Sequence, residues 1–428
     1  MNSLLRKLSW RLYHAVHTHG LAADVVYWGA YYVENFWRGL KYKRFSQHHI
    51  TPEELFAHRQ LAPSSYLVTG VTNICNAKCT FCAYPKVVAN KTLQTGIMPF
   101  DIFKQAVDEW SALGGQSLDL TPVVGDPLVD PGLLEKVDYA VNHAGLKNVY
   151  LTTNAILINR NDTYKKLIDL GIAAVFISTQ GASKEVYEKI YGVKHYDDAM
   201  SGIRNLMEYN RSKGEPARIV VRFRNHEKPS RIIRSPDFKK YIQPFLSERV
   251  RVNFTVDFDN WGGTIQPADL SGAMRPRKLP PPLNVPCKNL FNFAVRHDGK
   301  VRLCACRLTR SDLDDLVVGN ILENRSQRSP KAKRLGISSR DFMRANVRKP
   351  AWNALFTNPS TATGLRVALP AIPLCRWKNR TSRIIRSVAK GLPFKKAGES
   401  CPPALNSAPN HGKCFCHRRR RFYWQQSG

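Results

Sequence analysis

The sequence predicts an α/β fold: a partial (β/α)6 TIM-like barrel with an N-terminal helical extension and a small C-terminal β-hairpin module. Three observations predict it. Between residues 66 and 256, short strand-like runs alternate with stretches of helical apolar spacing, six times over. Strict alternation of this kind implies parallel strands joined by right-handed crossovers. The first strand runs into a loop holding Cys75, Cys79 and Cys82, with no Gly-rich dinucleotide turn of the sort an open doubly wound sheet would show.

The first strand is read at 66–72. A helix follows Pro99, with Phe103, Val107, Trp110 and Leu113 at helical spacing. Residues 117–121 form a second strand, and 133–144 a helix stopped by Gly145. The third strand contains Tyr150, and the helix 162–170 ends at Gly171. Strands at 173–178, 218–224 and 250–256 alternate with helices at 196–211 and 237–246. The expected division is 1–60 for the extension, 61–260 for the barrel, 261–323 for linker and hairpin module, and 324–428 for a basic irregular tail.

A chain of 428 residues has room for one large domain and one or two smaller ones. Residues 1–20 carry Arg6, Lys7 and Arg11 but no unbroken apolar core or small-residue cleavage site, and no apolar run suggests a transmembrane helix. A cytoplasmic, reducing setting is expected, where ten cysteines point to metal or redox chemistry rather than disulfides. The net charge of +32 is uneven: residues 321–428 hold 23 Lys/Arg against only Glu323, Asp341 and Glu399. Such an excess suits nucleic acid or acidic membrane surfaces, but its concentration in the tail argues against nucleic acid as the partner. Residues 1–60 are helical in pattern and rich in aromatics, among them Trp10, Tyr13, Tyr27, Trp28, Tyr31, Tyr32, Phe36 and Trp37. Two readings stand: an extension packed on the barrel, and a membrane-surface contact through aromatics interleaved with Lys and Arg.

Three thiolates in a C-x3-C-x2-C loop can hold three irons of a [4Fe–4S] cube and leave the fourth open to a substrate or cofactor. Zinc is the alternative, but it wants four ligands, and the nearest histidines, His49, His58 and His143, lie outside the loop. With Phe81 directly before the third cysteine, the loop resembles the signature of the radical S-adenosylmethionine (radical SAM) enzymes. The resemblance covers residues 60–260 and implies the six-unit barrel, a [4Fe–4S] cluster on Cys75, Cys79 and Cys82, and SAM on the open iron. It also implies one-electron cleavage of SAM to methionine and a 5′-deoxyadenosyl radical that abstracts hydrogen from a substrate carbon. An electron donor such as flavodoxin or ferredoxin is the implied partner.

Other positions match the family less closely. Gly125-Asp126-Pro127 stands where the family's Gly-Glu-Pro lines the SAM amino group, and Asp126 keeps the carboxylate on a shorter arm. Thr152-Thr153-Asn154 ends the third strand in place of Thr-Asn-Gly. Ser178-Thr179-Gln180-Gly181 ends the fourth in place of Ser-Leu-Asp-Gly. The resemblance thus assigns cofactor contacts to Phe81, Gly125, Asp126, Pro127, Asn154 and Ser178. The family's arginine for the SAM carboxylate is replaced by Ile190 or Tyr191. Lys189, Lys194, Arg222 and Arg224 are candidates to stand in for it; Arg222 is assigned to the cofactor, and a rim salt bridge is the alternative for both strand arginines.

A second constellation runs from Cys287 to Cys306. Asp298-Gly299 is a hairpin signal between alternating strands, and a hairpin returns Cys304 towards Cys287. This resembles the first half of the SPASM/Twitch auxiliary iron–sulfur module, and Gly319-Asn320-Ile321 fits the continuation. The resemblance implies an auxiliary cluster on Cys287 and Cys304, with Cys306 an added ligand or a neighbour; the alternative is a hairpin with buried free cysteines. The second half should supply a Cys-x2-Cys, and Cys375, Cys401, Cys414 and Cys416 are spaced otherwise. One reading of the tail is a frameshift near Asn324. A codon choice of AAT-CGC-TCT-CAG-CGA for residues 324–328, read from the first T, gives Ser-Leu-Ser-Ala, like the Ser-Leu that follows in the module. The tail is then expected to be disordered. The other readings are a native tail closing a cluster through Cys375, Cys414 and Cys416, or a basic partner-binding segment.

The module points to peptide or protein modification, with oxidation at a carbon centre, as the expected function. A radical enzyme acting on a small molecule such as a sugar or natural-product precursor is the alternative within the family. Nucleic-acid modification and a non-catalytic iron–sulfur protein are the others. Asp257 and Asp259, after the sixth strand, are candidate proton acceptors.

Overall fold

Each strand between residues 67 and 255 pairs in parallel with the next one along the chain. They are β1 (Leu67–Thr69), β2 (Ser117–Asp119), β3 (Asn148–Thr153), β4 (Ala174–Thr179), β5 (Arg218–Arg224) and β6 (Val250–Thr255). This computed structural model describes residues 13–17, 23–46, 66–91, 93–112, 114–180, 183–224, 226–277, 293–302 and 317–322. Contacts divide the chain into Met1–Val367 and Ala368–Gly428, and every described residue lies in the first unit. Cys287, Cys304, Cys306 and the tail 324–428 lie outside the described residues.

The helices are α1 (Ala23–Ser46), α2 (Tyr84–Ala89), α3 (Phe100–Ala112), α4 (Leu133–Asp138, continued by a π-turn over Tyr139–His143), α5 (Thr163–Asp169), α6 (Lys184–Tyr191), α7 (Tyr196–Ser212), α8 (Pro229–Arg234) and α9 (Pro236–Tyr241). The expected strand–helix alternation is therefore present, forming a mainly parallel sheet open at both ends. Sequence patterning passed over α2, α6 and α8. The single helix expected over 237–246 is instead α9 followed by a separate 3-10 turn at Gln243–Phe245, because Pro244 has no N–H to continue the helix.

The two faces of the sheet differ. Val149 and Leu151 on β3, Val175 and Ile177 on β4, and Ile219, Val221 and Phe223 on β5 are almost fully buried. They join the core with Phe103 and Val107 of α3, Leu167 of α5, and Ile203 and Leu206 of α7. Each such side chain contributes about 1.5–3 kcal/mol on burial. The alternating partners, Tyr150, Thr152, Phe176, Ser178, Arg222 and Arg224, are only half-buried although they sit in the middle of the sheet. That polar and aromatic face is the inner face of the partial barrel.

Further strands extend the sheet beyond β1. After β7 (Asp257–Phe258) and β8 (Arg275–Pro276), which pair with each other, come β9 (Phe293–Val295), β10 (Lys300–Arg302) and β11 (Val317–Asn320). The expected Asp298-Gly299 turn joins β9 to antiparallel β10, and β11 pairs with β10. The hairpin continues the barrel sheet: β9 lies parallel to β1, with Leu67 opposite Phe293.

The opposite edge, β6, is covered by the N-terminal segment. The Tyr13 hydroxyl accepts from Val252 N at 2.6 Å and donates to Val252 O at 3.2 Å, filling the pairing groups an open edge strand would expose. Asp24 accepts from Ser230 N at 2.9 Å and from its hydroxyl, capping α8. The Tyr27 hydroxyl donates to Phe254 O and that of Tyr31 to Asp257 Oδ2, both at 2.8 Å. The extension packs on the barrel through this side.

Candidate metal centre and cofactor site

The cysteine loop leaves the C-terminal end of β1 and is held at several points. Asn73 N donates to Gly96 O at 3.2 Å, and Gly96 N returns a bond to Asn73 Oδ1 at 2.7 Å. Lys78 N and Thr80 N donate to Tyr191 O and Ile190 O, at 2.8 and 3.0 Å, fixing the loop against the end of α6. Cys75, Cys79 and Cys82 are free thiols on this frame. Burial pushes the Cys75 thiol up to about 12, with the charges of Asp126 and Cys82 adding to it. Cys79 is raised well above its ordinary value by burial and then by Cys82 and Cys75. Burial also raises Cys82. The three sulfurs thus lie within electrostatic reach of one another in a half-buried site.

Among the described residues, no three His, Cys, Asp or Glu side chains converge closely enough to hold one metal ion. A mononuclear zinc site would need such convergence. Three neighbouring thiols on one loop suit a multi-iron cluster, in which each thiolate takes its own iron. The donor set therefore fits a [4Fe–4S] cube with three protein ligands.

The Gly125-Asp126-Pro127 turn lies directly against this loop. Gly125 has φ +118, and a Cβ there would meet Asn73 C at 2.9 Å and Ile74 O at 3.0 Å. Asp126 N donates to Ile74 O at 2.9 Å. The Asp126 carboxylate accepts from Leu128 N at 3.0 Å, Asn154 N at 2.7 Å, and the Thr153 hydroxyl at 2.9 and 3.0 Å. These bonds take up most of its acceptor capacity. Asp126 thus braces β3 against the turn, occupying the lone pairs that the expected contact to a SAM amino group would use. Burial still outweighs these bonds and raises its carboxyl to about 6. Pro127 opens the 3-10 turn that Asp126 caps. Behind it, the buried pair Lys136–Asp130, at 2.5 Å, ties the turn to α4.

Asn154 reaches the cysteine loop: its Nδ2 donates to Asn76 Oδ1 at 2.7 Å and lies 4.0 Å from Cys75 Sγ. Phe81 packs between Tyr191 and Phe258, with ring centroids 6.1 and 5.2 Å away. Ser178 Oγ accepts from Arg224 Nε at 3.3 Å. Burial lowers the pKa of Arg224, while Tyr191, Cys79 and Cys82 are among the groups acting against that. Ile190 and Tyr191 are buried and Lys189 and Lys194 are exposed, so among these candidates Arg224 is the half-buried cation within electrostatic reach of Cys79 and Cys82.

Arg222 sits one pleat further from the cysteine end, its guanidinium 4.1 Å from the centre of the Phe176 ring. Burial lowers it to about 10, with Arg224 repelling and Asp119 attracting its charge. Asp119 lies within electrostatic reach of Arg222 and is half-buried. Burial raises it to about 6 against bonds from Thr121 and the charge of Arg222. Tyr150 lies between, its ring 5.8 Å from Phe176. Strand alternation could have singled out Asp119, Tyr150 and Phe176, since all fall on the half-buried face.

Sequence reading also passed over the side chain of Gln180. It is fully buried, and neither its amide oxygen nor its nitrogen has a hydrogen-bond partner among the described residues. It directly follows β4, two residues beyond Ser178. A buried amide left without partners is costly, and a polar ligand at the strand ends would satisfy it. SAM, with its ribose and amino-acid groups, fits that requirement. Asp257, by contrast, is engaged by Arg275 Nε at 2.7 Å and by Tyr31, and Asp259 accepts from Trp261 N at 2.8 Å.

The family described as the radical SAM superfamily matches residues 69–228. These residues form a radical SAM domain. Among curated proteins, the GTP 3′,8-cyclase of Mannheimia succiniciproducens is 25% identical over 179 residues, 42% of this chain and 50% of that one. The GTP 3′,8-cyclase of Alkaliphilus metalliredigens is 26% identical over 143 residues, 33% of this chain and 43% of its own. The chain spans about half the length of the curated relatives it matches. Among solved structures, BtrN in complex with AdoMet and 2-DOIA is 17% identical, covering 60% of this chain and 78% of that one with a TM-score of 0.37. Native anSMEcpe with bound AdoMet and Kp18Cys peptide is 20% identical, covering 63% and 81%, with a TM-score of 0.36. The radical SAM domain begins at the end of β1 and takes in the cysteine loop, the Gly-Asp-Pro turn and both strand arginines.

Proposed function

We propose that this chain is a radical SAM enzyme that abstracts hydrogen from a substrate held on the inner face of its partial barrel. Cys75, Cys79 and Cys82 would hold the cluster. Arg224 and Ser178 would orient the SAM carboxylate, and Gln180 and Asn154 would supply further polar contacts. The bound group supplies reductive cleavage of SAM to a 5′-deoxyadenosyl radical, and the protein's part is to position substrate and exclude water. The observation that carries this reading is the grouping of the three half-buried thiols on one loop at the strand ends, within electrostatic reach of one another and of Arg224.

The substrate proposed first is a peptide or protein, modified by oxidation at a carbon centre, with Cys287, Cys304 and Cys306 binding an auxiliary cluster that accepts an electron. A small molecule is the second reading. It is favoured by the charged and aromatic residues of the inner face, Asp119, Tyr150, Phe176 and Arg222, which suit a compact polar ligand. Reconstituted protein would be incubated with SAM, dithionite and either the product of a neighbouring short open reading frame or a low-molecular-weight cell extract. Loss of hydrogen mass from the peptide, with 5′-deoxyadenosine formed in step, supports the first reading; a changed small molecule with an untouched peptide replaces it with the second.

A further inference from the structure

α1 has two apolar faces, and among the described residues one of them is exposed. Its inner side is fixed to the barrel by Asp24, Tyr27 and Tyr31, and Arg275 stacks over Trp28 and Tyr31 at 5.4 and 5.1 Å. Its outer side leaves Val25 73%, Tyr32 64%, Val33 56%, Phe36 63%, Trp37 57% and Leu40 43% exposed. At 3.6 residues per turn these positions form one stripe, roughly 22 Å long at 1.5 Å per residue. A helix apolar on all sides is ordinarily buried on all sides.

Charge indicates what covers the stripe. Within Ala23–Ser46 the acids are Asp24 and Glu34, and Asp24 is already engaged by Ser230. The bases Arg38, Lys41, Lys43 and Arg44 all fall in the C-terminal half of the helix. An exposed stripe of Val, Tyr, Phe and Trp running into a cationic end is the pattern of a helix that lies in a lipid interface, where anionic headgroups attract nearby Lys and Arg. Pairing with a second copy would instead bring two net-positive helices together. Among the described residues no helix is long and apolar enough to cross a membrane, so the contact is with the surface. We propose that α1 docks this protein on an anionic lipid surface through the stripe from Val25 to Leu40.

The direction of α1 adds a consequence. Tyr13, Tyr27 and Tyr31 meet Val252, Phe254 and Asp257 in turn, so α1 advances with β6 towards the strand ends where the cysteine loop lies. Docking through Phe36, Trp37 and Leu40 would hold that end of the barrel near the lipid.

The test is flotation of the full-length protein with vesicles of phosphatidylcholine and phosphatidylglycerol in equal parts, against vesicles of phosphatidylcholine alone. Binding is expected to the anionic vesicles only, weakening as salt is raised. Phe36→Ser with Trp37→Ser should lower partitioning roughly tenfold or more, the order expected when an aromatic side chain is no longer buried. Lys41→Glu with Lys43→Glu should abolish the preference for anionic lipid. Light scattering and iron content show whether the variants remain folded and whether the chain self-associates. Absence of wild-type flotation, equal flotation of the Ser variant, or a dimer lost in that variant without any vesicle binding would each overturn the proposal.

Discussion

Arg224 Nε lies 3.3 Å from Ser178 Oγ, joining neighbouring strands within electrostatic reach of Cys79 and Cys82. Under the proposed function, this pair would serve the SAM carboxylate in place of an arginine at Ile190 or Tyr191. Arg224→Gln should keep its iron and fold yet lose SAM binding about tenfold to a hundredfold, the range for one charge-assisted hydrogen bond. Isothermal titration with SAM under anaerobic conditions measures it. Arg222→Gln, one pleat away over Phe176, should leave SAM affinity within a few-fold of wild type; a large loss there with little at Arg224 would reverse the two roles.

Gly125 is the position where the cofactor turn and the cysteine loop touch backbone to backbone. Gly125→Ala combines a positive φ with a Cβ 2.9 Å from Asn73 C. A strained residue of this kind costs about 1–3 kcal/mol, and each kcal/mol lowers Tm by about 2–4 °C in a domain of this size. Iron incorporation should fall as well, because the displaced segment leads straight into Cys75. Thermal melting and iron content of the same preparation check both effects.

Asp119 gives a pH signature. Its folded-state value of about 6 lies above the ordinary 3.8, chiefly through burial. The folded protein therefore holds this proton more tightly than the unfolded chain. The stability this contributes is full below the ordinary value and is lost as pH rises from about 4 to about 6. Asp119→Asn should flatten that part of the stability profile. Arg222→Met should move the upper end of the window higher, since Arg222 opposes the rise. Urea unfolding across the pH range is the measurement; an unchanged slope in Asp119→Asn would contradict the assignment.

Much of the fold was legible in the sequence because it is written in local periodicity. The run at 148–153 alternates throughout, and those at 174–179 and 218–224 alternate towards their C-terminal ends, since one face must be buried under helices. The cysteine loop was legible from spacing alone. What stayed hidden depends on contacts between distant segments. Arg222 and Arg224 share a face of β5, and only the stagger of neighbouring strands shows which meets Ser178. The pairing of β9 with β1 leaves no local mark, nor does the capping of the β6 edge by Tyr13. Asp126 matched a motif carboxylate, but its engagement by Thr153 and Asn154 appears only once β3 is laid beside the turn.

The auxiliary module makes its own prediction. If Cys287 and Cys304 ligate a second cluster, the double variant Cys287→Ser, Cys304→Ser should lose one cluster's share of iron while keeping the signal of the first. Iron counting with Mössbauer spectroscopy separates the two. Equal iron in wild type and variant would restrict the chain to the Cys75, Cys79, Cys82 site and remove the main support for a peptide substrate.

The central claim is that Cys75, Cys79 and Cys82 hold a cluster with an open iron at which SAM is cleaved. Anaerobic reconstitution, followed by incubation with SAM and dithionite and detection of 5′-deoxyadenosine, tests it most directly. The account predicts 5′-deoxyadenosine from the native protein and none from Cys79→Ala. Native protein that takes up zinc or no iron at these cysteines, or that binds iron and yields no 5′-deoxyadenosine, would contradict it.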